Sequence, residues 1–353
     1  MKLHEFQKSL RKNGIHLAIF VHPDPMIRYF TQKEFSNALL VITPRNATLF
    51  MTALDKKPHI SGIDVKELSK GWEKTIKTKN VSKVGIHKKE MSVQFYDKIK
   101  KIFTKTQFVD VSSSLYTLRQ QKTSQEIAAI RKACSITDTV FNDVVTELKK
   151  GTLRTERDVA LFMDTRMRNN GVEPAFPTIV AMGKNAAIPH HTPSTASLSR
   201  GFLLLDFGAR YKGYCADMSR TMFLGTITNK EKKHYDQLLC CQEKTICHID
   251  TCSTFHELDA FARKELDTNA QYFVHSLGHG LGMEIHEHPV YSDKRTKIEH
   301  NMVFTVEPGV YFPQQYGLRI EDTILFNGKA KVLTKSSKKL ICISSTKIRT
   351  KDF

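Results

Sequence analysis

Residues 201–224 read GFLLLDFGARYKGYCADMSRTMFL, two runs rich in apolar residues around a turn near Tyr211-Lys212, and the placing of their two aspartates decides how the chain is read. With the turn centred between Tyr211 and Lys212, Asp206 sits opposite Asp217 in a β-hairpin. Strand side chains alternate, so Leu204, Asp206 and Gly208 share one face, as do Cys215, Asp217 and Ser219 on the partner strand. Directly opposed residues stand about 5 Å apart at Cβ, and like charges there repel. Something positive belongs between them: a lysine or arginine, or a divalent cation, which takes carboxylates of this kind as donors. A surface hairpin with two solvated aspartates fits this stretch equally well, so the remaining sequence has to decide.

The 353 residues suffice for a large core and, on size, for two domains. With 40% hydrophobic and 25% charged residues the composition is that of a globular protein, not a disordered one. No apolar run approaches bilayer length. The N-terminal MKLHEFQKSLRKNGIHLAIFVH has a short apolar patch interrupted by His16 and no small-residue cleavage site, which argues against a secretion signal. Seven cysteines, odd in number and without CxxC spacing, point to reduced thiols and a cytoplasmic location. Cys240, Cys241, Cys247 and Cys252, with His248 among them, lack matched zinc-ligand spacing and read as packing residues. The excess of 54 Lys and Arg over 36 Asp and Glu gives a net charge of +18. Its lysines are scattered, so a basic solvated surface is preferred to a nucleic-acid partner.

Up to about Arg119 helical and strand patterns alternate, as in an α/β domain. A helix over residues 3–12 leads to an apolar run at 15–21, a turn at 22–25, strands at 38–43 and 47–52, a short strand at 84–86, a helix at 92–103 and a strand at 108–111. Thr123 with Glu126 then forms a capping box, opening a long helix that Gly151 stops, and Thr155 with Asp158 opens a second. After the hairpin come helices at about 229–251 and at 255–266, the latter capped by Thr254 and Glu257, and then strands to the end. The division is residues 1–120, an α/β domain, and 121–353, a two-layer α+β domain in which helix, helix, hairpin occurs twice.

Three further stretches can complete a site. His275, His279, His286 and His288 fall within fourteen positions, among glycines 278, 280 and 282 that argue against a helix and for close backbone approach. Apolar strands flank a Pro/Gly-punctuated turn, so Glu307 and Glu321 can converge as the aspartates do. Glu321 fits a surface carboxylate equally, whereas Glu307 follows Val303-Phe304-Thr305-Val306, where an unpaired buried charge would be costly. The loop MGKNAAIPHH at 182–191 offers His190.

Taken together these residues resemble the pita-bread metallopeptidases. HSLGHGLGMEIHE at 275–287, with IVAMGKNAAIPH, LDFGARYKGYCADMSRT, VEPGVY and LRIEDT, is similar to the branch containing Xaa-Pro aminopeptidases and proline dipeptidases. The likeness runs from about Thr123 to Phe326, and residues 1–120 are similar in size and order to a creatinase-type N-terminal domain. Methionine aminopeptidases, which lack such a domain, are less similar. MIRYFT at 26–31 stands where a YLTG-like segment is usual.

The resemblance implies five metal ligands, Asp206, Asp217, His279, Glu307 and Glu321, holding two divalent ions, with Mn²⁺ the first choice and Co²⁺ or Zn²⁺ as alternatives. Asp217 and Glu321 would bridge, Asp206 would serve one metal, and His279 and Glu307 the other. A hydroxide shared by the metals would attack the bond between an N-terminal residue and proline, with Glu307 moving the proton. His190 and His286 would bind the scissile amide and its developing charge, and His275 and Arg319 would shape the proline pocket and support the metal site. The implied protein is a cytoplasmic homodimer acting on short proline-containing peptides as an Xaa-Pro aminopeptidase, or alternatively as a proline dipeptidase. An inactive relative that binds nucleic acid or protein is disfavoured because such relatives lose ligands, and creatinase-like chemistry because those members depart from this set.

Overall fold

The computed structural model describes residues 2–77 and 80–344. The chain forms two compact units, Met1–Arg119 and Gln120–Phe353.

The first unit is an α/β sandwich. Its elements are α1 (Lys2–Lys12), β1 (Leu17–Val21), α2 (Pro25–Thr31), β2 (Ala38–Ile42), β3 (Ala47–Met51), β4 (Asp64–Glu67), α3 (Trp72–Ile76), β5 (Lys83–Ile86), α4 (Val93–Ile102), β6 (Gln107–Asp110) and α5 (Ser112–Gln120). The strands make one mixed sheet in the order β4-β3-β2-β1-β5-β6. Alternation along β1 explains the layering: Leu17 and Ile19 face a core shared with Ile99 of α4 and Ile76 of α3, while Phe20 packs on Phe6 of α1 and Phe30 of α2.

The turn expected at 22–25 runs directly into α2, which the periodicity did not reveal because only seven residues are helical. The signal was local: the Asp24 side chain accepts the Met26 N–H at the N-cap, and Pro25 takes the first helical position. β4, α3 and α5 were also unread, all three being short.

In the second unit α6 (Ser124–Lys150) starts at the Thr123/Glu126 capping box and ends at Gly151 in the left-handed conformation, and α7 (Glu156–Asn169) starts at the Thr155/Asp158 box. Then come β7 (Glu173–Pro174), β8 (Ile179–Met182), β9 (Gly201–Phe207), β10 (Ala209–Tyr211), β11 (Tyr214–Cys215) and β12 (Met218–Leu224). The pattern repeats with α8 (Asn229–His248), α9 (Phe255–Leu266), β13 (His279–Gly280), β14 (Glu287–Val290), β15 (Met302–Val306), β16 (Gly309–Phe312), β17 (Tyr316–Arg319), β18 (Asp322–Phe326), β19 (Ala330–Val332) and β20 (Cys342–Ile343). The last nine residues of the second segment lie outside the described residues.

Two main sheets result, β20-β12-β9-β8 and β14-β13-β15-β18-β19. Apolar faces of α6 and α7 bury the first, and those of α8 and α9 the second. The sheets are pinned together by Arg220 of β12, whose guanidinium lies 2.7 Å from the Asp322 carboxylate of β18. Both side chains are fully buried, and Gln242, Thr334 and Lys338 complete the shell around Asp322. Such a pair tolerates removal of neither partner.

The cysteines divide by position. Cys134, Cys215 and Cys241 pack in the interior, but Cys240 and Cys247, expected to pack, are exposed on α8. One helix cannot turn all of them inward, since residues 240 and 241 point about 100° apart. Among the described residues no helix is long and apolar enough to cross a membrane.

Candidate metal centre

The first hairpin turns at Lys212 and Gly213, with φ of 47° and 82°. Two consecutive positive-φ residues make the tight turn that matches strand twist. Arg210 therefore faces Cys215, Tyr211 faces Tyr214, and, further along, Asp206 faces Ser219. The expected opposition of Asp206 and Asp217 is thus corrected: the turn lies one residue later than the sequence reading centred it, which displaces the pairing by two. A two-residue displacement keeps the face, so both carboxylates still point into one cavity. The strands pass so closely here that a Cβ on Gly208 would lie 1.7 Å from the Ala216 carbonyl oxygen.

The second hairpin is built alike. Val306 faces Asp322 and Gly309 faces Arg319, so Glu307 and Glu321 occupy matching positions at the break between β15–β18 and β16–β17. The hairpins interlock there. Glu321 donates its backbone N–H to the Ser219 carbonyl (3.1 Å), and the Thr323 hydroxyl donates to the Asp217 carbonyl (2.8 Å).

Glycines bring the histidine segment in. A Cβ on Gly278 would meet the Thr305 oxygen at 2.2 Å, and one on Gly280 the His288 backbone at 2.4 Å. Only bare backbone fits, which places His279 on β13 beside the carboxylates. The nine residues given metal-binding or substrate roles by the resemblance line one cavity of about 620 Å³: Asp206, Asp217, His279, Glu307 and Glu321 with His190, His275, His286 and Arg319. His288, the fourth of the clustered histidines, does not line it.

Hydrogen-bond accounting separates the carboxylates. Arg319 donates to Asp206 Oδ2 (2.5 Å) and to the Ser219 hydroxyl (2.8 Å), and Ser219 in turn donates to Glu321 Oε2 (2.7 Å). The other oxygens, Asp206 Oδ1, Asp217 Oδ1 and Glu321 Oε1, are buried and, among the described residues, have no hydrogen-bond partner. His279 Nδ1 lies 3.2 Å from the Gly280 carbonyl, which can only accept, so the ring proton is on Nδ1. The Nε2 lone pair then faces Glu307 Oε1 at 3.3 Å and Asp217 Oδ2 at 3.5 Å. Lone pair against carboxylate is repulsive unless a proton or a metal cation lies between, and one donor atom each of Asp217, His279 and Glu321 falls within 4.8 Å of the others.

The electrostatics agree. Burial, then Glu321 and Asp206, push the Asp217 carboxyl well above its usual range, and burial, then Glu307 and Asp206, do so to Glu321. Burial raises Glu307 to about 8 against the pull of Arg319. Burial and then His286 lower His279 to about 3, and burial with Arg319 lowers His275 to about 4. A cluster of acids that resists ionising, beside imidazoles that resist protonation, is short of positive charge. The residues fit divalent cations, and oxygen-rich donors with one imidazole suit hard or borderline ions better than soft ones.

Sequence reasoning did not find the side chains that hold these donors. Thr305 receives the His279 N–H (3.0 Å) and donates to Glu307 (3.0 Å). Tyr311 lies between His275 Nε2 (2.9 Å) and Arg319 Nη1 (2.6 Å). Their common signal is a hydroxyl inside an apolar strand, which the sequence offers at many places.

Comparison with known proteins places this architecture. Residues 128–327 match metallopeptidase family M24, and residues 2–121 match the creatinase/prolidase N-terminal domain. The chain is 34% identical to an Xaa-Pro dipeptidase of Pyrococcus horikoshii over 96% of its own length and 98% of that protein's. The crystal structure of the prolidase from Pyrococcus horikoshii OT3 superposes with a TM-score of 0.88 at 32% identity, covering 96% of this chain and 99% of the other. An X-Pro aminopeptidase structure from Thermotoga maritima gives 0.85 at 26% identity, over 95% and 100%. An N-terminal creatinase/prolidase domain is therefore followed by a pita-bread catalytic domain, and the chain belongs to metallopeptidase family M24.

Proposed function

We propose that this chain hydrolyses the peptide bond between an N-terminal residue and proline, with two divalent ions, Mn²⁺ in first place, held by Asp206, Asp217, His279, Glu307 and Glu321. The observation that carries the reading is the convergence in one cavity of the His279 lone pair with three buried carboxylate oxygens that have no partner among the described residues. When bound, the ions supply an acidified water and a Lewis acid for the carbonyl. Glu307, oriented by the Thr305 hydroxyl, takes a proton from the attacking water and passes it to the proline nitrogen as the C–N bond breaks. His190 and His286 donate to the carbonyl oxygen as it gains charge. Arg319 holds Asp206, while His275, its Nε2 occupied by Tyr311, presents its ring as a wall for proline. A dedicated pocket suits proline, whose nitrogen carries no N–H once in a peptide bond and whose ring fixes φ.

The relatives named Xaa-Pro dipeptidase and prolidase support a dipeptide substrate, and the Thermotoga maritima X-Pro aminopeptidase supports a longer one. Both share the bond cleaved. The free thiols of all seven cysteines accord with a cytoplasmic enzyme, and the family resemblance is what supports reading it as a homodimer. Mn²⁺-loaded protein offered Ala-Pro and Ala-Pro-Ala, with chelated protein as control, tests the reading. Cleavage of the dipeptide alone defines a dipeptidase, and release of alanine from the tripeptide defines an aminopeptidase. Failure on both with metal bound overturns the proposal.

A further inference from the structure

His190 lines the cavity, yet among the described residues its ring has no hydrogen-bond partner. No hydrogen bond of its own fixes the ring, so its place depends on the loop between β8 and β9 that carries it. One buried group gathers that loop from both sides. Glu156, the first residue of α7, is fully buried, and its carboxylate accepts five hydrogen bonds. Before His190 in sequence, the Met182 N–H and Asn185 Nδ2 donate to Oε1, each at 2.8 Å. After it, His191 Nε2 (2.9 Å), the Ser194 N–H (3.0 Å) and the Ser194 hydroxyl (2.6 Å) donate to Oε2. Backbone bonds fasten the same stretch to the helix start: the Glu156 N–H donates to the Ala196 carbonyl (3.1 Å) and the Arg157 N–H to the Ser194 carbonyl (2.9 Å).

Glu156 differs from the metal-site carboxylates in what surrounds it. Burial works against its charge, but Ser194, Asn185, His191 and Met182 outweigh that and hold its carboxyl below the usual range. A buried carboxylate with every donor site filled is ionised and needs no cation. It is an anchor, not a ligand.

We propose that Glu156 is a positioning residue for peptide-bond cleavage, clamping residues 182–194 so that His190 meets the scissile carbonyl. The inference rests on the role given to His190 above. The test is a double-mutant cycle in Mn²⁺-loaded full-length protein. Glu156→Gln keeps the shape but replaces one acceptor oxygen by an amide NH₂ facing the donors, and it lowers kcat and kcat/KM together by about 10- to 100-fold at unchanged metal content. In a His190→Ala background the same substitution costs less than about twofold, because the group it positions is gone. A merely structural role would give additive losses.

Glu156→Gln at wild-type kcat, or additive losses in the double variant, overturns the proposal. Should Glu156→Gln fail to fold, Ser194→Ala withdraws a single donor. A severalfold loss of kcat that vanishes in the His190→Ala background supports the clamp, and an unchanged rate overturns it. Full activity in His190→Ala alone instead removes the role of His190 on which the clamp depends.

Discussion

Glu156 and Asp217 are both buried carboxylates, and the donors that reach them assign them opposite tasks. Five donors leave Glu156 nothing to bind, whereas among the described residues Asp217 Oδ1 and Glu321 Oε1 have none. Asp217→Ala or Glu321→Ala is expected to abolish turnover and lower bound metal, measured by elemental analysis beside the peptide assay. An active Asp217→Ala enzyme would remove the assignment. His190→Ala should keep its metal and lose about 100-fold in kcat, the scale of one donor to a developing oxyanion. The ligand candidates were legible because acids and histidines are costly inside apolar strands and stand out there. Ser219, Thr305 and Tyr311 were not, since a hydroxyl costs little on either side of a strand and its partner lies far away in sequence: Ser219 reaches Glu321 across 102 residues.

At the scale of elements, helices announced themselves through their ends. The capping boxes at Thr123, Thr155 and Thr254 lie where the spacing put them, because cap chemistry is local. The hairpin register was harder. Face alternation survives a displacement of two, so hydrophobic pattern alone cannot separate Asp217 from Ser219 as the partner of Asp206. The positive φ at Lys212 and Gly213 decides it, and Lys-Gly is a weaker turn signal than Asn-Gly. Close approach gives a direct check. Gly208→Ala would force a Cβ to within 1.7 Å of a backbone oxygen that no rotamer can move. We expect a melting temperature lower by about 5 °C or more, corresponding to a cost of about 2 kcal/mol or more. A variant melting with the wild type would show that the strands can part.

Over the whole molecule, site and stability are linked through protons. In metal-free protein Glu307 keeps its proton up to about 8, whereas the unfolded chain releases it near 4.5. Between those values the folded state binds more protons, so stability falls as pH rises, and Asp217 and Glu321 act in the same direction. His279, lowered to about 3, works the other way only up to 6.5, where the unfolded imidazole loses its proton. Above 6.5 the carboxyl terms stand alone. Chelated protein should therefore melt at lower temperature at pH 8 than at pH 6.5, and the gain from Mn²⁺ should widen over that interval. A gain independent of pH would contradict the linkage. Each hairpin supplies its own two carboxylates, and the pairs meet where the hairpins interlock and Arg220 and Asp322 join the two sheets. With the ligands proposed above, the ion would act, in the vocabulary of quality control, as an inspector: a chain would take it up with full affinity only after both halves of the catalytic unit had folded and found each other.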